Sequence, residues 1–304
     1  MRAKNFKVYA SAMFAMVFWA LSFIWYKEVL ILYRPVSLVL MRLIISSILL
    51  FVVTLSLGKL NKLHLSDLKF FLVLTFFQPF LYFLGESYGV NLVLSTVASV
   101  IISIIPLLTP LAAYLVLKER ITFMNFIGLL VSFLGVAIVI FHQGFDLDNV
   151  SPIGVAYLFL AVIAAIGYAL LIKRLSARYN VFSIVTYQNT LGIFFFLPLF
   201  FILDFNEFVT IIPTREVVFS LLKLGIFAST FAFVFFTYAI KNLGVTRANV
   251  FTNTIPVLTA IFAYYLLGEV ITPVKIAGII VVVVGLFLSQ VRKGLFSWVA
   301  NGKL

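Results

Sequence analysis

The sequence predicts an all-α membrane protein with ten transmembrane helices, arranged as two inverted five-helix repeats with both termini in the cytoplasm. Three observations predict this class: the composition, a series of long apolar segments and an internal repeat. Of the 304 residues, 64% are hydrophobic and 11% are charged, whereas soluble domains are about 45–50% apolar and ~25% charged. A soluble fold of this size has too few polar side chains to cover that much apolar surface.

Ten segments are apolar over the roughly 20 residues that a transmembrane helix needs. Their connections are short, so no segment is long enough to form a soluble domain. The apolar runs are continuous rather than alternating, which excludes an outer-membrane barrel. The predicted spans are 8–26, 36–57, 68–88, 92–117, 123–141, 152–172, 182–203, 217–240, 246–267 and 273–291.

The basic residues predict which side of the membrane each loop occupies. With both termini in the cytoplasm, the inside segments and the span ends next to them hold 16 Lys and Arg residues, the outside segments and their span ends hold 5, and Arg42 lies deeper within a span. Cytoplasmic loops are enriched in Lys and Arg, so this is the expected orientation. The net charge of +12 is therefore assigned to loops of a multi-pass protein of the bacterial cytoplasmic (inner) membrane, and not to nucleic-acid binding.

An internal repeat relates the two halves of the chain. A shift of 150 residues aligns Pro106 with Pro256 and Glu119 with Glu269. Each half has an odd number of spans, so the second half enters the membrane in the opposite sense. Secondary transporters are commonly built in this way, with a substrate site near the midplane at the repeat interface. The two predicted repeats are residues 1–145 and 146–304.

The repeated residues resemble a known family. The ten-helix layout and the duplicated order of Pro, Glu and Gly are similar to the EamA branch of the drug/metabolite transporter superfamily. The resemblance covers nearly the whole chain and implies an exporter of amino acids or other small metabolites, although the family also includes importers and exchangers. The residues that carry the resemblance are Pro106, Glu119 and Gly128, Pro256, Glu269 and Gly278, the early Phe18-Trp19-Ala20, and Arg42.

Glu86 is the sharpest candidate for a functional residue. It lies within the third span, where a charge is costly and is by default functional. Gln78 and Tyr82 precede it at intervals of four, so the three side chains share one helix face. We expect a protonatable group in a hydrated cavity, which binds an amino group or couples transport to protons. The alternatives are an acid that only fixes helix packing and one that is hydrated at the extracellular mouth.

Arg42 is a second charged candidate, in the second span. It could pair with Glu86, neutralise a substrate carboxylate or extend to the outer interface; we favour a structural or gating role. The second half departs from the first at two aligned positions, because Gln188 replaces Arg42 and Ala165 replaces Trp19. These residues are therefore not assumed to be paired functional sites.

Polar residues also recur at matched positions in the fourth and ninth spans. The first set is Thr96, Ser99 and Ser103, and it aligns with Thr246, Asn249 and Asn253. Spacings of three and four place each set on one helix face. We expect these faces to line a central cavity; the alternative is hydrogen bonding between packed helices. Pro106 and Pro256 are matched hinge candidates, with static kinks as the alternative.

The remaining candidates are aromatic, polar and small residues. Trp19, Tyr168, Tyr187, Gln188 and Asn189 could add lining to the cavity, whereas Trp25 and Tyr26 are assigned to an interfacial aromatic belt. Four glycines would let the fifth and tenth helices pack closely, within a monomer or in a dimer. They are Gly128, Gly135, Gly278 and Gly285.

Missing motifs narrow the function further. The chain has no cysteine and two histidines, and it has no phosphate-binding loop of the kind that ATP-driven transporters need. No catalytic motif is present, so we expect neither an enzyme nor a resident cofactor or metal. We predict a secondary active transporter that exports amino acids or related metabolites by alternating access, driven by protons or by exchange with a counter-substrate. It would act in the lipid bilayer as a monomer or homodimer, and a passive channel or a lipid scramblase is the alternative.

Overall fold

The computed structural model describes residues 2–109, 112, 123–141, 151–243, 248 and 250–290, and the secondary structure in these ranges is helical. The boundary predicted between the repeats lies outside them. In chain order the α-helices are α1 (Arg2–Val29), α2 (Pro35–Ser56), α3 (Leu65–Thr75), α4 (Tyr82–Leu92), α5 (Ser95–Ile102), α6 (Phe123–Phe141), α7 (Pro152–Leu175), α8 (Val181–Leu203), α9 (Phe205–Phe208), α10 (Arg215–Lys223), α11 (Ala232–Leu243), α12 (Ile255–Leu267) and α13 (Pro273–Gln290).

Helical segments lie at each of the ten predicted spans. Six described segments are long and apolar enough to cross a membrane, and α5, α6, α12 and α13 lie at the other four positions. The prediction of an all-α membrane fold is therefore confirmed. The side of the membrane that holds the termini stays a prediction. The six long segments are Phe6–Val29, Pro35–Ser56, Leu65–Leu92, Pro152–Ile172, Val181–Leu203 and Arg215–Leu243.

The third span of each half is interrupted at a matched position. A first π-helical segment, Phe76–Leu81, joins α3 to α4, and a second, Leu224–Phe231, joins α10 to α11. Within the first segment Gln78 has extended backbone angles, with φ −149° and ψ 120°. Irregular backbone at membrane depth is tolerated where it is buried in protein or lines a cavity, so these breaks mark where a cavity is expected.

The fourth span of each half is interrupted as well. In the first half the helix ends at Ile102 and resumes over residues 105–109, so Pro106 lies in the first turn after the break. In the second half the 3₁₀ turn Val250–Thr254 precedes α12, and Pro256 is again in the first turn. Proline suits this position because the first-turn N–H has no intrahelical partner. Hinge motion at the two prolines stays a prediction.

One end of the α2–α8 pair is closed by hydrogen bonds to Asp204, which directly follows α8. Ser37, in the first turn of α2, donates its backbone N–H and its hydroxyl to Oδ2 of Asp204 at 2.7 and 2.9 Å. Arg34 forms an ion pair with Glu207 beside them. The start of α2 is thus capped by residues that follow the end of α8.

The opposite end of the pair repeats this arrangement with the helices exchanged. The backbone N–H of Asn61, after α2, donates to Oγ of Ser183 in the first turn of α8 at 2.7 Å, and the N–H of Asn180 donates to Oδ1 of Asn61 at 2.8 Å. Under the 146-residue shift, position 34 corresponds to position 180 and position 207 corresponds to position 61. The Arg34–Glu207 and Asn180–Asn61 contacts are therefore equivalent contacts of the repeat. The two helices are antiparallel, as an inverted repeat requires.

A second exchanged contact joins α6 to α13. A Cβ atom added to Gly135 would lie 2.8 Å from the carbonyl oxygen of Gly278, and one added to Gly285 would lie 2.8 Å from that of Gly128. Under the 150-residue shift, position 135 corresponds to position 285 and position 278 corresponds to position 128, so the two contacts are equivalent. The close packing expected from these glycines therefore occurs within one chain.

The α6–α13 contact predicts a difference between two neighbouring substitutions. Gly285→Ala adds a methyl group against backbone atoms of α6 and should cost about 1–3 kcal/mol of stability, as overpacking does. Val284→Ile is the control, because Val284 is 46% exposed and surface substitutions change stability little. Melting temperatures of the detergent-solubilised variants measure the difference, and equal values would contradict the close contact.

Candidate functional site

A cavity lies between the two halves, beside the helix breaks. Its wall is built by α1, α2, the first π segment, α4 and α5 from the first half and by α7, α11 and α12 from the second. The cavity has a volume of about 70 Å³. Most of the lining is apolar or aromatic. Its polar side chains are Ser22, Arg42, Gln78, Tyr82, Glu86, Tyr168 and Thr252.

Arg42 and Glu86 form a buried ion pair in the cavity wall. Nη1 of Arg42 is 3.8 Å from Oε2 of Glu86, and the side chains are 2% and 7% exposed. Tyr26 donates to Oε2 of Glu86 at 2.9 Å, and Tyr82 donates to Oε1 at 3.0 Å. Arg42 thus neither extends to the interface nor leaves Glu86 unpaired. A buried charge is tolerated when it is paired and hydrogen-bonded in this way.

Arg42 also connects the first half to the second. Its Nε donates to Oγ of Ser229, in the second π segment, at 2.6 Å. Its guanidinium carbon lies 4.2 Å from the ring centroid of Phe83, a favourable cation–π distance. It also donates to the hydroxyl of Tyr26. Arg42 therefore links the ion pair to the second half.

A polar network supports the second π segment behind Arg42. Nδ2 of Asn189 donates to Oγ of Ser46 at 2.8 Å and to the carbonyl oxygen of Ser229 at 3.0 Å. The hydroxyls of Ser46 and Thr230 are 2.7 Å apart. The network thus bonds both the backbone and a side chain of the irregular segment to α2 and α8.

Sequence reasoning did not find Tyr26, Ser46 or Ser229 as parts of the site. The structure corrects the assignment of Tyr26 to an interfacial belt, because this side chain is fully buried against Glu86. A signal was available: Tyr26 follows Trp19 by seven residues, which places both on one face of α1. The two serines carry no comparable local signal.

Several predicted residues do meet in the cavity. Gln78, Tyr82 and Glu86 all line it, as do Arg42 and Trp19. They do so although the helix is broken at Gln78. The roles of these residues in transport stay predictions.

The fourth-span residues are placed differently. Ser103 lies outside the cavity lining, and its hydroxyl donates to the carbonyl oxygen of Val100 in its own helix at 2.6 Å. Ile105 lines the cavity instead. Asn249 and the side chain of Asn253 lie outside the part of the chain that the structure describes.

Tyr187 and Gln188 also lie outside the lining. Tyr187 donates to the carbonyl oxygen of Asn61 at 2.6 Å, next to the α2–α8 contact. Gln188 is fully buried and lies beside Tyr168, which does line the cavity.

Glu269, one of the repeated residues, joins the halves at another point. Its two carboxylate oxygens accept from the backbone N–H of Ser95 at 2.9 Å and from the hydroxyl of Thr96 at 3.0 Å. These residues begin α5, and a carboxylate at a helix N-terminus satisfies free N–H groups and the helix dipole. Its aligned residue, Glu119, lies outside the described residues.

The described residues contain no group of three or more metal-ligating side chains that could hold an ion. The polar part of the described site consists mainly of the Arg42–Glu86 pair and its tyrosine partners, in a mostly apolar wall. In such a site, a charged or polar group of a bound molecule can replace one partner of the ion pair or of a hydrogen bond.

Comparisons with known proteins agree with this architecture. The model of the EamA-like transporter family matches residues 6–141 and 152–290. An uncharacterized transporter of Archaeoglobus fulgidus is 28% identical over 91% of this chain and 95% of its own length. A probable terminal-alkyne amino-acid exporter of Streptantibioticus cattleyicolor is 29% identical over 64% of each chain. A solved structure, described as a crystal structure of a protein, has a TM-score of 0.67 at 15% identity and covers 93% of this chain and 96% of its own; this likeness concerns the fold alone.

The buried pair predicts strong coupling between two substitutions. Arg42→Met leaves the carboxylate of Glu86 buried without its cation and should cost about 3–5 kcal/mol. The double variant Arg42→Met/Glu86→Gln removes both charges. Its loss of unfolding free energy should therefore be much smaller than the sum of the losses in the two single variants. Unfolding of all four proteins in detergent measures the coupling.

The exposed pair of Arg34 and Glu207 is the matched control. Both side chains are 51% exposed, so the corresponding double-mutant cycle should give a coupling below about 1 kcal/mol. Equal couplings for the two pairs would show that Arg42 and Glu86 do not depend on each other in the buried site.

Proposed function

Because this chain belongs to the EamA-like transporter family, it is a membrane transporter, and we propose that it exports an amino acid or a related zwitterion by alternating access. The observation that carries the proposal is the pair of opposite charges in a wall that is otherwise mostly apolar. A free amino acid presents the same two charges together with a side chain of variable polarity. The similarity to a probable amino-acid exporter supports this substrate class.

Charge exchange gives a route for such a substrate to bind. Arg42 and Glu86 both line the cavity and are within ion-pair distance of each other. A substrate carboxylate can take the place of Glu86 beside Arg42 while the substrate ammonium group pairs with Glu86. Each buried charge then keeps a partner throughout, which avoids the cost of an isolated charge.

The two-half construction supports alternating access. Both halves build the cavity wall, and the third and fourth spans of each half, which contribute to the lining, are interrupted near it. Inverted repeats that move against each other around a fixed site expose it first to one side and then to the other. The bonds from Glu269 to the start of α5 cross between the halves, so they must break when those helices separate.

Protonation of Glu86 is the proposed coupling step. When Glu86 takes up a proton from outside, the ammonium group of the bound substrate loses its counter-charge and the substrate is released. Loss of that proton to the cytoplasm restores the carboxylate, which can pair with the ammonium group of the next substrate. Inward movement of protons would thereby drive export, and exchange of substrates would remain possible without a gradient.

Substrate counterflow in proteoliposomes tests the binding role. We expect Glu86→Gln and Arg42→Lys to lower the uptake of a labelled amino acid about tenfold or more, since a hydrogen bond to a charged group contributes ~1.5–3 kcal/mol. Glu207→Gln is the control, because it makes the same chemical change in a half-exposed side chain outside the cavity. Flux without saturation or counterflow would support a channel instead.

A pH gradient tests the coupling role separately. In wild-type proteoliposomes an imposed gradient should accelerate substrate flux, and in Glu86→Gln the acceleration should be lost while any remaining exchange is independent of the gradient. Glu207→Gln should respond as the wild type does. Coupling that survives in Glu86→Gln would remove Glu86 from the proton pathway.

A further inference from the structure

The two halves contribute different chemistry to the cavity wall. Both charged side chains of the lining, Arg42 and Glu86, belong to the first half. The lining residues that the structure describes in the second half are apolar, apart from two that carry a hydroxyl group. We call the apolar ones the apolar wall, and they are Ala165, Ala169, Phe233, Phe236, Ile240 and Ile255.

The two hydroxyl groups of the second half's lining are already engaged within the protein. The hydroxyl of Tyr168 is directed to the side chains of Gln188 and Thr237, which lie outside the lining. Thr252 also interacts with another part of the chain. A molecule in the cavity therefore meets a surface on the second half that offers it contact area but few hydrogen bonds.

A row of aromatic rings leads from the ion pair to the apolar wall. The ring centroid of Phe83 lies 4.2 Å from the guanidinium carbon of Arg42, and Phe83 packs edge-on against Phe233 at 6.0 Å. Trp19 packs edge-on against Phe233 and Phe236, with centroids 5.4 and 4.8 Å apart. All four rings line the cavity. An apolar surface thus begins beside the ion pair and continues into the second half.

An amino acid held at the ion pair would present its side chain to this surface. Its carboxylate and ammonium groups would pair with Arg42 and Glu86, which are both on the first half's side of the cavity. The substituents of the α-carbon are arranged tetrahedrally, so the side chain points away from the wall that holds the two charged groups. It then meets the aromatic rings and the apolar wall.

We propose that the transported amino acid has an apolar side chain, such as that of leucine, which packs against the apolar wall. This proposal rests on the proposed function and narrows its substrate class. Removal of an apolar side chain from water is favourable. A carboxamide or hydroxyl group would lose its hydration there without gaining a hydrogen-bond partner, and a charged side chain would also lack a counter-ion.

L-Leucine and L-asparagine test the proposal, because their side chains have the same branched shape and differ in polarity. In proteoliposome counterflow the wild type should exchange leucine about tenfold better than asparagine or more. Equal exchange, or a preference for asparagine or another polar amino acid, overturns the proposal and leaves the proposed function standing. A lack of counterflow with all the common amino acids contradicts both.

A substitution in the apolar wall tests the same point from the side of the protein. Phe236→Gln places a carboxamide there and should lower the leucine-to-asparagine ratio about fivefold. Phe200→Gln is the matched control, because both phenylalanines are 8% exposed and Phe200 packs edge-on against Phe205 and Phe208 outside the lining. An unchanged ratio in Phe236→Gln, or an equal fall in Phe200→Gln, overturns the proposal.

A binding measurement on the wild type covers the case in which either variant does not fold. A ligand that binds the folded state raises the melting temperature. In detergent, leucine should raise the melting temperature of the wild type more than the same concentration of asparagine does. An equal or smaller shift with leucine overturns the proposal.

Discussion

The charge of Arg42 is the constraint around which the centre of this protein is organised. A guanidinium stays protonated in proteins, and hydrocarbon offers it no counter-ion. The chain therefore surrounds it, with Glu86 as the opposite charge, Tyr26 as a shared hydrogen-bond partner and Ser229 as an acceptor from the other half. The carbonyl of Ser229 is in turn bonded by Asn189. The ion pair, the irregular helix and the polar network are thus parts of one arrangement.

The two halves share a backbone plan but differ in their electrostatics. The paired breaks and the exchanged helix contacts follow the repeat closely. The charges do not, because Gln188 and Phe236 stand where the first half has Arg42 and Glu86. Backbone symmetry lets two inverted halves adopt each other's conformations, whereas a binding site for one asymmetric molecule needs walls of different chemistry. The proposed amino-acid substrate is such a molecule, and the different side chains of the two halves are consistent with it.

The sequence predicted the fold better than it predicted the site. Apolar segments and the repeat led to the ten spans and to the matched breaks at Pro106 and Pro256, because both signals are periodic along the chain. The interval of four residues likewise predicted that Tyr82 and Glu86 share a helix face, and their side chains are hydrogen-bonded. The contact of Arg42 with Ser229 joins residues 187 positions apart, and no local pattern encodes such a distance. A helix-face argument also cannot separate a cavity-lining serine from one that bonds its own helix, as Ser103 does.

The cap on α2 has a consequence for how this protein is made. The carboxylate that bonds the first turn of α2 belongs to Asp204, which lies 167 residues beyond Ser37. At the ~5–20 residues per second of ribosomal synthesis, roughly 10–30 s separate the two residues. During that interval the carboxylate of Asp204 does not yet exist to bond the first turn of α2. The hydrogen bonds that cap α2 in the folded protein can therefore form only after most of the second half's first two helices have been synthesised.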